Sequence, residues 1–241
     1  MEAVAGGANP RTVVVVNSGS PVLMPWLDKV DAVLLGWFGG QEFGSAIADI
    51  LLGAEEPGGR SPTSWPAALE DVPVLNTTPP VDGKVIYSEG IHIGYRAWLK
   101  QQAEGGAAPA LPPFGYGLGY TTFELGKAHA PQVVTAGNDV VVHVPVRNTG
   151  TRTGREVVQV YLDRADSAVE RPVRWLAATP GHTSLQPARR AWKYASLPRR
   201  LHITTAAGSL SRARSACWLV ATRPTTSKPS TSNFGNYMEL R

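Results

Sequence analysis

At 241 residues, with 43% hydrophobic and 17% charged side chains, the chain has a globular composition and the length for one large domain or two ordinary ones. The lone Cys217 excludes an internal disulfide and a Cys-rich metal site, five scattered histidines give no zinc spacing, and no apolar run reaches membrane-spanning length. The net charge of +4 hides a break, because residues 1–176 hold 13 basic and 18 acidic side chains whereas residues 177–241 hold 10 and 1.

The start, MEAVAGGANPR, lacks the basic region and apolar core of a secretory signal, so as written the chain is expected to be neither exported nor anchored, and its compartment stays open. Thr12 to Asn17 is an apolar β-branched run, the kind of strand that a parallel sheet covers on both faces. Ser18 to Pro21 turns the chain, Pro25 suits the first position of a short helix carrying Trp26 and Leu27, and Ala32 to Phe38 predicts a second strand. Gly39-Gly40 then leads into Gln41-Glu42, a carboxylate where the helix dipole favours one, and Phe43, Ala46, Ile47 and Ile50 recur at helical spacing before Gly53 stops the run. Strand, helix, strand, helix is the alternation of an α/β layer. Two strands are too few for a whole one, so part of the sheet is expected to be missing.

Pro57 to Gly83 reads as a long surface excursion rich in Pro, Gly, Ser and Thr. Order resumes at VIYSEGIHIGYRAW, Val85 to Trp98, and PPFGYGLGYTTFEL, Pro112 to Leu125, closes the first unit. A period of two follows: Val140, Val142, Val144 and Val146 alternate with Val141, His143, Pro145 and Arg147, Asn148-Thr149-Gly150 turns, and Val158, Val160 and Leu162 alternate again. This predicts an immunoglobulin-like β-sandwich, incomplete because only two or three of about seven strands are legible. After Leu176 the composition turns basic and rich in Ser, Thr and Pro, which predicts a disordered or aberrant tail in which neither Leu201–Ile203 nor Cys217–Val220 becomes a strand.

Each candidate site residue has a plain reading beside the sharp one. Glu42, with Gln41, could meet a substrate or a neighbouring domain; the favoured reading is a helix-start carboxylate held by backbone N–H groups. Glu89 and Arg96 could contact a sugar, but a structural ion pair between them is favoured. Arg60 could bind an acidic neighbour on another domain, the plain reading being a solvated loop arginine. Tyr95, like Tyr116 and the tryptophans Trp37, Trp65 and Trp98, could offer a stacking face for a sugar, against a favoured role as core. Gly115, Gly117 and Gly119 spell Gly-x-Gly-x-Gly without the strand-turn-helix frame of a nucleotide site. The basic tail has the electrostatic footprint of phosphate binding, yet aromatic residues are sparse in it, and nucleic acid is the least favoured partner.

The segments NSGSPVLMPW, WFGGQEFGSAIADILLGAEEPGGRSPTSWP, YSEGIHIGYRAW and PFGYGLGYTTFEL resemble, in order and spacing, the C-terminal half of glycoside hydrolase family 3, the β-glucosidases, β-xylosidases and related exo-acting enzymes. NTGTRTGREVVQVYLDR and ERPVRWL resemble the fibronectin type III-like domain that ends this family. The resemblance implies three parts: residues 1–125 as part of an α/β-sandwich domain, 126–176 as the start of a fibronectin type III-like domain, and 177–241 as a tail out of frame from about Ala177 or unrelated. It also implies exo-hydrolysis of terminal β-linked sugars with retention, a β-linked oligosaccharide or glycoside as substrate, no cofactor and no metal. Its two catalytic carboxylates belong upstream of Met1, on a barrel domain and early in the α/β domain. No residue of this chain is therefore expected to be catalytic, and the Glu of Ser88-Glu89-Gly90 is not the family's acid/base. Gln41, Glu42, Arg60, Glu89, Tyr95 and Arg96 remain as candidates for lining the cleft, and the missing barrel is the expected partner. The alternative is a non-catalytic carbohydrate- or protein-interaction module.

Overall fold

The computed structural model describes residues 11–74, 80–106, 113–131, 139–164, 166–179, 183–185, 187, 190–197, 217–220 and 237–240. They form an α/β unit followed by a β unit, seamed together along a loop. In the α/β unit, β1 (Val13–Val16) and β2 (Ala32–Leu35) pair in parallel, Val13 opposite Ala32 through Val16 opposite Leu35. Between them Leu27–Lys29 is a single 3-10 turn after Pro25. β2 is shorter than the apolar run that predicts it, because Gly36 is followed by Trp37 at a φ of 54°, a left-handed backbone rare for a bulky residue.

Helix α1 (Phe43–Leu52) begins after Glu42 and ends at Gly53, whose φ of 76° lets its N–H turn back to Ile50 O. Phe43, Ile47 and Ile50 form its half-buried stripe; Ala46 is exposed, and no residue of the helix is fully buried. The stripe starts against glycine, since a Cβ on Gly36 or Gly39 would overlap the Phe43 ring. The core of this unit is Val14, Met24, Trp26 and Trp65, with Trp37 edge-on to Trp65 at 5.7 Å. All of it lies on one face of the strand pair. The expectation that β1 is covered on both faces is corrected: Val14 is buried, while Val13 is 52% and Val15 37% exposed. Helix α2 (Tyr95–Ala103) closes the unit, burying Ala97 and Trp98.

The β unit starts earlier than the sequence motifs suggest. Phe123–Leu125 is β3 and pairs antiparallel with β4 (Val140–Asn148), so it belongs here rather than to the first unit. β4 buries Val142, Val144, Val146 and Asn148 and turns the alternate residues outward, as its period of two predicts. β5 is Gly154–Glu156. β6 (Gln159–Leu162) departs from alternation, with all four residues buried. Val160 and Leu162 enter a core with Val142, Val144, Val146, Val158 and Leu185, whereas Gln159 and Tyr161 face the α/β unit. A strand covered on both sides loses the half-polar signature.

β7 (Trp175–Ala178) pairs with β6 and runs across the composition break at Leu176. Beyond it, β8 (Thr183–Leu185) pairs with β5, β9 (Arg190–Leu197) pairs with β4 over eight positions, and β10 (Cys217–Val220) bridges β6 and β11 (Tyr237–Leu240). The predicted low-order tail is thus corrected at these residues, Cys217–Val220 included; Leu201–Ile203 lies outside the described residues. The physical reason is that strand pairing needs only backbone groups and a free edge, which β4, β5 and β6 supply, so a polar composition does not preclude it.

Candidate functional site

Two places gather the candidate residues. The first is an open hollow of ≈ 500 Å³ at the start of α1, lined by Gly39, Gly40, Gln41, Glu42, Phe43 and Ala46. Gln41 and Glu42 are exposed there. Glu42 occupies the cap position but makes no side-chain cap hydrogen bond, so the expected carboxylate held by backbone N–H groups is not what the structure shows. Its backbone carbonyl accepts from Ala46 N and its carboxylate is turned to solvent, where the helix dipole favours its charge without ordering it.

The second is the seam between the units, where the loop after α1, Gly53 to Ser61, lies between the GYGLGYTT strip and β5. Arg60 is its centre. Its side chain is 8% exposed, Nη2 donates to Glu156 Oε1 at 2.8 Å, and Nη1 donates to Gly59 O at 3.0 Å. The solvated-arginine reading of Arg60 is therefore corrected: its acidic partner exists, inside this chain and 96 residues downstream. Glu56 Oε1 accepts from Arg155 N at 2.8 Å, and Glu55 Oε2 from Arg155 Nη2 at 3.1 Å. The C-terminal carbonyls of α1 are satisfied from across the seam, Ile50 O by Tyr120 Oη at 2.7 Å and Gly53 O by Arg152 Nη2, a cation where the helix dipole prefers one.

The glycine string explains itself at this seam. A Cβ on Gly117 would lie 2.4 Å from Gly59 O, one on Gly119 2.7 Å from Glu56 Oε1, and one on Gly115, which has a φ of 81°, 2.1 Å from Gln159 Oε1. Close backbone approach, not phosphate binding, requires these glycines. Ser61 is bonded to the glycine string along the same line, Ser61 N donating to Tyr116 O and Gly115 N donating to Ser61 O, both at 2.7 Å. Burial pushes the Tyr116 phenol above its ordinary value of 10.0. The crevice left beside Arg60 and Glu156 is ≈ 10 Å³, room for about one water.

Tyr95 sits further along the same boundary. It stacks on Phe114 with centroids 4.4 Å apart, stands edge-on to Tyr161 at 6.2 Å, and its Oη accepts from Leu176 N at 2.7 Å. Glu89 and Arg96 are not paired. Arg96 Nη1 approaches Ile91 O at 3.5 Å and its guanidinium lies over Tyr95, while Glu89 Oε2 is buried with no hydrogen-bond partner. The expected ion pair is corrected because the sharp turns at Gly90 and Gly94, both at positive φ, separate the two side chains.

The structure thus joins Arg60 and Tyr95 to the seam and leaves Gln41 and Glu42 together at the hollow. Missed by the sequence reading were Glu156, Gln159, Tyr161, His92 and Glu170, the last two 2.7 Å apart across the boundary. The signal was present in REVVQVYL: Gln159 and Tyr161 occupy the face of β6 opposite Val160 and Leu162, which in an isolated sandwich is the solvent face. Among the described residues no group of three or more His, Cys, Asp or Glu side chains converges on a point where a metal could be held. None of their helices is long and apolar enough to cross a membrane.

Residues 1–95 match the family described as Glycosyl hydrolase family 3 C-terminal domain. The β-glucosidase B of Emericella nidulans is 48% identical over 183 residues, covering 72% of this chain and 21% of that protein. Among solved structures, a β-glucosidase of Streptomyces venezuelae in complex with D-glucose superposes with a TM-score of 0.80 at 33% identity, over 100% of this chain and 30% of that one. A β-glucosidase of Kluyveromyces marxianus gives 0.71 at 42% identity, over 78% and 22%. The chain spans about a fifth of the length of the curated relatives it matches.

Proposed function

From the match of residues 1–95 to the glycosyl hydrolase family 3 C-terminal domain, we propose that the chain serves as the C-terminal part of a β-glucosidase-like exo-glycosidase that hydrolyses terminal β-linked sugars with retention. The family match, continued by 48% identity to a β-glucosidase, is the observation that supports it. The chemistry needs a nucleophilic carboxylate and an acid/base carboxyl about 5–5.5 Å apart across the scissile bond. The seam carboxylates are committed within the chain, Glu56 to Arg155 N, Glu156 to Arg60 and Glu170 to His92. Glu42 stands exposed at the hollow. In this reading both reacting carboxylates come from polypeptide preceding the matched region, a barrel domain included, and the chain is inactive alone. Gln41 and Glu42 border the cleft, offering an amide and a carboxylate to sugar hydroxyls, and the β unit is the fibronectin type III-like domain of the family.

The test is complementation. The 241-residue chain alone should leave an aryl β-glucoside intact. Mixed with the part of Emericella nidulans β-glucosidase B that precedes the matched region, it should restore release of the aryl group. Turnover by the chain alone that disappears in Glu42→Gln would instead place the acid at the hollow and overturn the reading.

A further inference from the structure

Helix α1 has ten residues, a length at which an isolated helix is marginal in water, so its order comes from what it touches. Phe43, Ile47 and Ile50 are half-buried, and no residue of the helix is fully buried. Gln41 and Glu42, which lead into it at the hollow, give it no side-chain cap. Its other end is bonded across the seam. Tyr120 Oη, three residues before β3, donates to Ile50 O at 2.7 Å, and Arg152 Nη2, between β4 and β5, donates to Gly53 O. The guanidinium carbon of Arg152 lies 5.3 Å from the centre of the Tyr120 ring, so the two anchors also hold each other.

We propose that Tyr120 and Arg152 are positioning residues, which through α1 set where Gln41 and Glu42 stand at the hollow. The anchors are themselves fixed to the β core by one side chain. Asn148, on β4 and fully buried, donates through Nδ2 to Arg152 O at 2.7 Å and to Leu185 O at 2.8 Å, and its Oδ1 accepts from Oγ1 of Thr121, the neighbour of Tyr120, at 2.8 Å. The helix passes this order on because its own bonds, beginning with Ala46 N to Glu42 O, make it one body between Gly40 and Gly53. Over its ~15 Å a tilt of ~4° carries its start by ~1 Å, the scale at which substrate positioning is lost. The inference rests on the reading of Gln41 and Glu42 as cleft residues, and it gives the β unit a share in the site although none of its residues reaches the hollow.

Hydrogen exchange in the 241-residue chain reads the link without turnover. In Tyr120→Phe and, separately, Arg152→Ala, the amides of Ala46 and Ile47 should exchange about 10-fold faster, while those of Val142 and Val144 in β4 keep their rates. Arg152→Lys, which keeps a cation beside Gly53 O, should stay near the parent chain. A change confined to residues 51–53 would mean that the two bonds only cap the helix, and would overturn the proposal. So would no change, or an equal quickening in β4. With the part of Emericella nidulans β-glucosidase B that precedes the matched region supplied, both variants should raise KM for an aryl β-glucoside about 5-fold, as Glu42→Gln does, with kcat held within about two-fold. A KM unmoved in both variants where Glu42→Gln raises it would overturn the proposal as well. Faster exchange at Ala46 and Ile47 together with a KM that Glu42→Gln leaves unmoved, or with no restored turnover, would uphold the link and count against the functional reading alone.

Discussion

Arg60 and Glu156 carry their charges into a place that water hardly reaches, with side-chain exposures of 8% and 6%. Such a pair adds little net stability over a well-packed apolar pair, yet removing one partner strands the other, at a cost of about 3–5 kcal/mol. Arg60→Leu should therefore lower the urea midpoint steeply. Adding Glu156→Leu should restore part of the loss, and the non-additivity of the double-mutant cycle is the measure of the contact. Tyr116 gives the seam a pH dependence of known sign. Burial raises its folded-state value above 10.0, so the contribution is intact below about pH 10 and is lost as pH rises through the folded value. The thermal midpoint should fall on that alkaline limb, and Tyr116→Phe should flatten the fall.

The elements show how differently the two halves of the chain announced themselves. β4 was legible because one of its faces meets the core and the other meets solvent, so its valines alternate cleanly. α1 was legible at both ends, because a Cβ on Gly39 would overlap Phe43 and Gly53 takes a left-handed backbone. β6 was only half legible: a strand buried on both faces by two different units carries Gln159 and Tyr161 where an isolated sheet would put solvent. β9 and β10 were hidden by a composition that reads as unstructured. Their structural weight can be measured by ending the chain at Ala178. That removes β8 to β11, opens the β4 edge along eight residues and unpairs β6 from β10. Unpaired apolar edges recruit other chains, so the shortened protein should elute as oligomer or aggregate. A monomer with an unchanged β spectrum would return residues 179–241 to the status of an unneeded tail.

At the scale of the whole molecule, the helix start at Gln41-Glu42 was legible in the sequence, but the backbone N–H partners expected for the Glu42 carboxylate are not made. Arg60 reads locally as a solvated loop arginine and Tyr95 as a core aromatic, because their partners Glu156 and Leu176 are distant in sequence and no local pattern names them.

Those distances set an order of events as the chain is made. The bonds from Gly53, Glu55, Glu56 and Arg60 reach partners 96 to 100 residues later. At about 5–20 residues per second of synthesis, the loop after α1 waits ~5–20 s for β5 to follow it out of the ribosome. During that wait Arg60 is without Glu156, and Gly53 O is without Arg152. The seam thus acts as a clock: the α/β half stays open to chaperones and proteases until the β unit has been translated, and only a chain read through to Glu156 can shut it.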